Sequence, residues 1–160
     1  MARMQKITPN LWFDTEAEEA ADFYTSVFDD SRVLRVTRYG EAGPRPAGMV
    51  MTVTFQLEGQ EFTGLNGGPE FKFNEAISLL VNCESQEEID ELWEKLSAGG
   101  EKGPCGWLKD RFGVSWQIVP TVLEEMLQDD DSARADRVMK AMLEMSKIDI
   151  PTLEKAYGHR

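Results

Sequence analysis

The chain has 160 residues, 41% of them hydrophobic and 29% charged, which suits one domain with a core of its own. Its net charge of -12 speaks against nucleic acid, whose proteins neutralise phosphates with Lys and Arg, and equally against an anionic membrane surface. The simplest use of the acidity is solubility.

The two cysteines, Cys83 and Cys105, and the lack of a signal-like apolar run or membrane-length stretch predict free thiols in a reducing, cytoplasmic setting. The single histidine, His159, is penultimate, where chains fray, so it reads as a tail residue rather than a catalytic partner for either thiol.

In chain order, residues 7–13 read as a strand with Leu11 and Phe13 on one face and Asn10 and Trp12 on the other. Residues 14–28 form a predicted helix, with Ala17, Ala20, Ala21, Tyr24, Val27 and Phe28 at helical spacing and Asp14, Glu16, Glu18 and Glu19 near its start. A strand over 32–39 precedes the Gly/Pro loop 40–48. Strand 49–58 alternates Met49, Met51, Val53, Phe55 and Leu57 against Thr52, Thr54 and Gln56, and strand 61–66 ends at Asn66-Gly67-Gly68-Pro69. The pattern then restarts: strand 76–82, then a helix over 85–98 with Ile89, Leu92, Trp93 and Leu96 inward and Gly99-Gly100 as its stop. Setting Leu11 over Leu79 aligns Glu16 with Glu84, Glu19 with Glu87 and Phe28 with Leu96, so strand, helix and buried face recur together as an internal repeat. Strands over 102–108 and 112–119 follow, joined by a turn at Asp110–Gly113. The remainder is helical: Thr121 opens one helix, Asp131 or Ser132 caps a second with Val138, Met139, Met142 and Met145 on one side, and Pro151 starts a last turn that Gly158 ends.

This predicts an α+β fold of two β-α-β-β-β modules, over 5–68 and 74–120, in a single domain with a helical extension over 121–160. The segments Ile7–Asp14, Ala17–Tyr24, Leu65–Pro69, Phe71–Ser78, Cys105–Pro120 and Arg137–Ile150 together resemble the PhnB-like branch of the vicinal-oxygen-chelate, or glyoxalase/bleomycin-resistance, superfamily. The resemblance implies a cupped mixed sheet around a concave cavity. Members of this branch often carry the name 3-demethylubiquinone-9 3-methyltransferase. The chain offers no Gly-rich strand-to-helix loop for a nucleotide-type cofactor, so no S-adenosylmethionine and no other cofactor is expected.

In the superfamily's enzymes a divalent metal is held by His and Glu from the first and last strands of each module. The resemblance puts Thr8, Ala76 or Ser78, Gln117 and Thr63 or Leu65 at those positions, so no conventional metal site is expected. Strand parity instead turns Asn10, Trp12, Ser78 and Gln117, joined by Trp107, toward the concave side. With Thr8 these make the candidate ligand pocket, aromatic walls with a few placed amides. Each has a plainer role as well: tryptophans pack in cores, and Gln117 can satisfy a structural hydrogen bond. Trp93 and Trp116 read as core. Asn66-Gly67-Gly68 reads as a turn rather than a phosphate cradle, Cys105 as a small buried residue, and the Met stripe as packing. Arg45 is either a lid over an anion or a solvated loop tip.

The reading is a small-molecule-binding protein with one partner, a second copy of itself. Two rivals stand beside it: an enzyme with a non-standard site, for instance a metal held by Glu61 or Glu75, and a protein whose cavity is filled by Trp12 and Trp107. The homodimer is expected because the superfamily commonly associates so. Leu123, Met126, Leu127, Val138, Met139, Met142 and Met145 must also cover either the chain's own sheet or a twofold partner.

Overall fold

A computed structural model describes residues 4–158; His159 lies outside them. The chain divides into two compact units at Phe73–Asn74, and each is taken by itself.

The first unit runs β1 (Asn10–Phe13), α1 (Ala17–Val27), β2 (Arg32–Arg38), β3 (Val50–Leu57) and β4 (Gln60–Asn66). Its sheet has the order β1-β4-β3-β2, with β1 parallel to β4 and the other pairs antiparallel. A parallel pair cannot be closed by a hairpin, so the helix and two strands between β1 and β4 form the crossover. One sheet face carries Leu11, Phe13, Val53, Phe55, Leu57 and Phe62, all buried, together with the inward stripe Ala17, Ala20, Ala21 and Tyr24 of α1. The helix approaches closely because its contact residues are small. A Cβ on Gly64 would come within 3.2 Å of the Ala17 methyl.

The second unit repeats the plan with β5 (Ser78–Cys83), α2 (Gln86–Ser97), β6 (Glu101–Lys102), β7 (Trp107–Lys109) and β8 (Ser115–Pro120). The order is β5-β8-β7-β6, again with one parallel pair, β5 and β8. Ser85 caps α2 by accepting from the Glu88 amide, and Ile89, Leu92, Trp93 and Leu96 form its buried stripe. The structure corrects one element: the strand expected over 102–108 is two strands. The loop between them bends at Cys105 and Gly106, both at positive φ. A Cβ at Gly106 would lie 2.8 Å from the Ile118 carbonyl oxygen, so the close approach needs glycine.

Three helices follow: α3 (Thr121–Leu127), α4 (Ser132–Leu143) and α5 (Ile150–Tyr157). Asp131 caps α4 and Asp149 caps α5, each through its carboxylate. Leu123, Met126, Val138, Ile148 and Leu153 close a cluster of their own, with Leu127, Met142 and Met145 packed against it. The extension is then stitched to its own unit. The Met145 and Ser146 carbonyls accept from the Cys105 and Gly106 amides, each at 2.8 Å. Gln86 donates to the Ile148 carbonyl and accepts from the Ile150 amide. Most of the apolar side chains for which a twofold partner was a candidate cover are thus satisfied within the chain. Only Met139 stays notably exposed among them; Leu143, outside that set, is exposed beside it.

Candidate functional site

In each unit the helix covers one face of the sheet, and the functional candidates lie on the opposite face. On the first sheet, alternation places Asn10 and Trp12 of β1 beside Thr63 and Leu65 of β4. These continue into Thr54 and Thr52 of β3, and then into Arg35 and Thr37 of β2. Two polar rows therefore cross all four strands: Asn10–Thr63–Thr54–Arg35 and Trp12–Leu65–Thr52–Thr37. Thr8 lies just before β1, where its hydroxyl accepts from the Gln5 amide.

Trp12 is half-buried and already engaged. Its indole N–H donates to the Gly68 carbonyl at 2.9 Å, and Phe71 meets its ring edge-on, with centroids 4.9 Å apart. A side chain on Gly67 would collide with the same ring. The Gly67 and Gly68 amides both donate to the Phe13 carbonyl, which leaves neither free for a phosphate. Asn66, expected only to start a turn, is 2% exposed and acts across the fold. Its Oδ1 accepts from the Ala17 amide at 2.9 Å, capping α1, whose own N-cap Glu16 makes no side-chain cap. Its Nδ2 donates to the Val50 carbonyl. Arg45 is neither lid nor solvated tip: it pairs with the Asp14 carboxylate at 3.2 Å and donates to the Asp14 carbonyl, pinning the Gly/Pro loop.

On the second sheet, Gln117 of β8 has Trp107 of β7 as its neighbour on one side and Leu80 of β5 on the other. Its amide donates to the Ser78 hydroxyl at 2.9 Å. The structure thus brings Ser78, Trp107 and Gln117 together on one face, and Asn10 and Trp12 together on the other unit's face. Ser115, one row from Gln117, is 1% exposed, and its hydroxyl has no hydrogen-bond partner, which is costly unless something else supplies one. At the margin, Lys109 pairs with Glu75. The hydrogen bond from Lys109 holds the Glu75 carboxyl below its usual range, and the same contact raises the Lys109 ammonium.

The residues at the superfamily's metal positions do not fit a tight transition-metal site. Thr8, Thr63, Ser78 and Gln117 are neutral donors, two of them bonded to each other, and Ala76 and Leu65 have no donor. Such a site normally needs three or four imidazole, thiolate or carboxylate ligands. Among the described residues no group of three or more His, Cys, Asp or Glu side chains converges on one point.

Cys83 lies on the helix-covered side of β5, fully buried. Burial first, and the nearby Glu88 and Glu84 carboxylates after it, push its thiol up to about 12. Because the folded chain holds this thiol neutral, its contribution to stability is complete below the ordinary value of 9.0 and is lost as pH rises through about 12. Mass spectrometry after iodoacetamide at pH 8 is expected to find Cys83 unmodified in folded protein and modified in urea. Equal rates in the two states would contradict its burial.

Two β-α-β-β-β sheets, each with one parallel pair and one covered face, define a protein of the glyoxalase/bleomycin-resistance fold. The comparisons agree. The FosX fosfomycin resistance protein of Listeria monocytogenes, solved with Mn(II) and sulfate, matches with a TM-score of 0.57 at 16% identity, over 79% of this chain and 100% of its own. The Pseudomonas aeruginosa protein PA1353 matches with a TM-score of 0.60 at 21% identity, over 73% and 98%. The PhnB protein of Bacillus cereus, provisionally named a 3-demethylubiquinone-9 3-methyltransferase, is 43% identical over 73% of this chain and all of its own, with a TM-score of 0.65. The sequence pattern of the family described as 3-demethylubiquinone-9 3-methyltransferase matches residues 5–119, and the chain belongs to that family. No curated protein matches it.

Proposed function

We propose that the protein binds a small molecule against the helix-free faces of its sheets, through Thr8, Asn10, Trp12, Ser78, Trp107 and Gln117, without the divalent metal of its fold relatives. The observation that carries this is the buried Ser115 hydroxyl, unpartnered beside the Ser78–Gln117 pair and Trp107. The Ser115 hydroxyl is sealed from solvent, so a ligand atom that supplied its missing partner would enter through a small local opening beside Ser78 and Gln117. The donor set supports the metal-free part of the reading, since its groups are hydroxyls and amides. The family name suggests the second reading, a methyltransferase. The Gly67–Gly68 pair after β4 is used up on the Phe13 carbonyl, which favours binding over an S-adenosylmethionine reaction. The protein acts in the cytoplasm as a homodimer in this reading. Among the described residues no helix is long and apolar enough to cross a membrane.

One purification tests these points together. Protein taken from cells without added metal is expected to hold less than about 0.1 equivalent of zinc, iron, nickel or manganese. Native mass spectrometry should show an organic adduct that is lost on denaturation, and light scattering the mass of two chains. About one metal per chain, removed together with an activity, would overturn the reading.

A further inference from the structure

The two polar rows on the first sheet differ in how they are satisfied. In one, Thr37 and Thr52 hydrogen-bond each other and Trp12 bonds Gly68. In the other, the side chains of Asn10, Thr63, Thr54 and Arg35 make no hydrogen bond or ion pair among the described residues. Thr54, at the middle of that row, is nevertheless only 6% exposed. Asn10 and Arg35 are exposed and Thr63 is half-buried, so the row lies open along its length with its polar groups free to bond a ligand, and Thr54 is its most enclosed point.

Arg35 reaches this face through an irregularity. The pairing of β2 with β3 passes from Val33 opposite Phe55 to Arg35 opposite Thr54, so Leu34 is an extra residue. In unbroken register Leu34 would face Thr54, and Arg35 would point with Val53 into the helix-covered core. A bulge re-aims the side chains that follow it, and here it delivers a guanidinium to the helix-free face. The other charges on that face are Arg32, opposite Gln56, Arg38, opposite Val50 and already bonded to the Gly48 carbonyl, and Glu61, opposite Gln56 from the other side. All three cations, Arg32, Arg35 and Arg38, are on β2 and the carboxylate is on β4, so the face is positive at its β2 edge and not at its β1 edge.

We propose that this row binds a small organic acid, its carboxylate or similar oxyanion on Arg35, with Thr54, Thr63 and Asn10 bonding neutral oxygens further along. The assignment rests on the small-molecule reading above and narrows it to a ligand class. Every member of the row can donate a hydrogen bond, which suits an acceptor-rich ligand, and a planar guanidinium matches a carboxylate with two parallel bonds. Three strand spacings make the row about 14 Å long, enough for an acid with a neutral body but not for a polymer. Glu61 sets the orientation by repelling the anionic end from the β1 side.

The test uses an isosteric charge series on the intact, isotope-labelled chain: benzoate, benzyl alcohol and benzylamine, followed by backbone amide shifts. Benzoate is expected to shift residues 10, 35, 54 and 63 saturably and to bind better than the alcohol and the amine. Added salt should weaken it, and Arg35→Gln should weaken it about tenfold. Arg38→Gln, which removes a guanidinium already spent on the Gly48 carbonyl, should leave the affinity within about twofold. Equal binding of the alcohol and benzoate at this face, or an Arg35→Gln protein that binds like the parent, overturns the acid site and leaves the broader reading standing. No saturable shift on the first sheet with any probe also overturns it. If Ser78, Trp107 and Gln117 stay silent too, the small-molecule reading falls with it.

Discussion

Replacing Asp110 by Ala is expected to destabilise the second unit by about 3–5 kcal/mol, among the largest effects of any single polar substitution in the chain. Asp110 is 2% exposed. Its Oδ1 accepts from the Phe112 amide at 2.8 Å and the Val114 amide at 3.1 Å, and its Oδ2 from the Trp116 indole at 2.9 Å. Truncation leaves these donors facing a void. A buried donor left without a partner costs about 1–3 kcal/mol, and such losses within one network do not simply add. The surroundings have little room to adjust, since a Cβ on neighbouring Gly100 would already overlap the Lys109 carbonyl at 2.1 Å. Asp110→Asn is the sharper variant. It keeps one acceptor but turns an N–H toward the indole N–H, so it should fall between the parent and Asp110→Ala. Urea unfolding followed by tryptophan fluorescence measures both. A shift below about 1 kcal/mol for Asp110→Ala, with unchanged slope, would show that the turn is held by its backbone alone.

Asp110 also shows what the sequence could and could not disclose. The turn at Asp110–Gly113 was legible from residue type, because Asp, Phe and Gly at those offsets suit an Asx turn. Its partner Trp116 was legible only as core. Nothing in a local pattern says that an indole six residues on closes the third bond. The same division runs through the fold. Periodicity located β1, α1, β5 and α2 and their buried faces, because Leu11, Phe13, Tyr24, Ile89 and Leu96 are set by alternation and helical spacing. The break between β6 and β7 was not legible, because it depends on carbonyls of Met145 and Ser146, some 40 residues away, that anchor the loop.

For the site, parity alone was enough to group Asn10 with Trp12 and Ser78 with Gln117. What it missed follows from register. Thr54 carries no signal of its own, since threonine is ordinary strand material, and Thr63 was reached only through the resemblance, as one of two choices for a metal position. Arg35 was hidden by the extra residue at Leu34, which inverts the face that simple alternation assigns to everything after it. Trp12 was visible as a candidate, yet its hydrogen bond to Gly68 and its contact with Phe71 come from a loop more than 50 residues along.

Asn66 is the second position where a large effect is expected, about 2–4 kcal/mol for Asn66→Ala. Both ends of its amide are used: Oδ1 takes the Ala17 amide and Nδ2 the Val50 carbonyl, so one side chain ties β4 to the start of α1 and to β3. Its backbone carbonyl accepts from the buried Tyr39 hydroxyl at 2.6 Å, which joins the end of β2 to the same point. Asn66→Asp separates the hydrogen-bonding role from the charge. A carboxylate keeps the bond to Ala17 and suits the positive end of a helix, but it sets an oxygen against the Val50 carbonyl in a dry place. Asn66→Asp should therefore fail to recover the parent's stability at pH 7. Hydrogen exchange supplies the local readout: in Asn66→Ala the Ala17, Ala20 and Ala21 amides should lose protection before those of α2, because only the first helix has its cap on a distant strand. If α1 and α2 lose protection equally, or if Asn66→Asp unfolds at the parent's urea midpoint, the amide is a filler and not the tie described here.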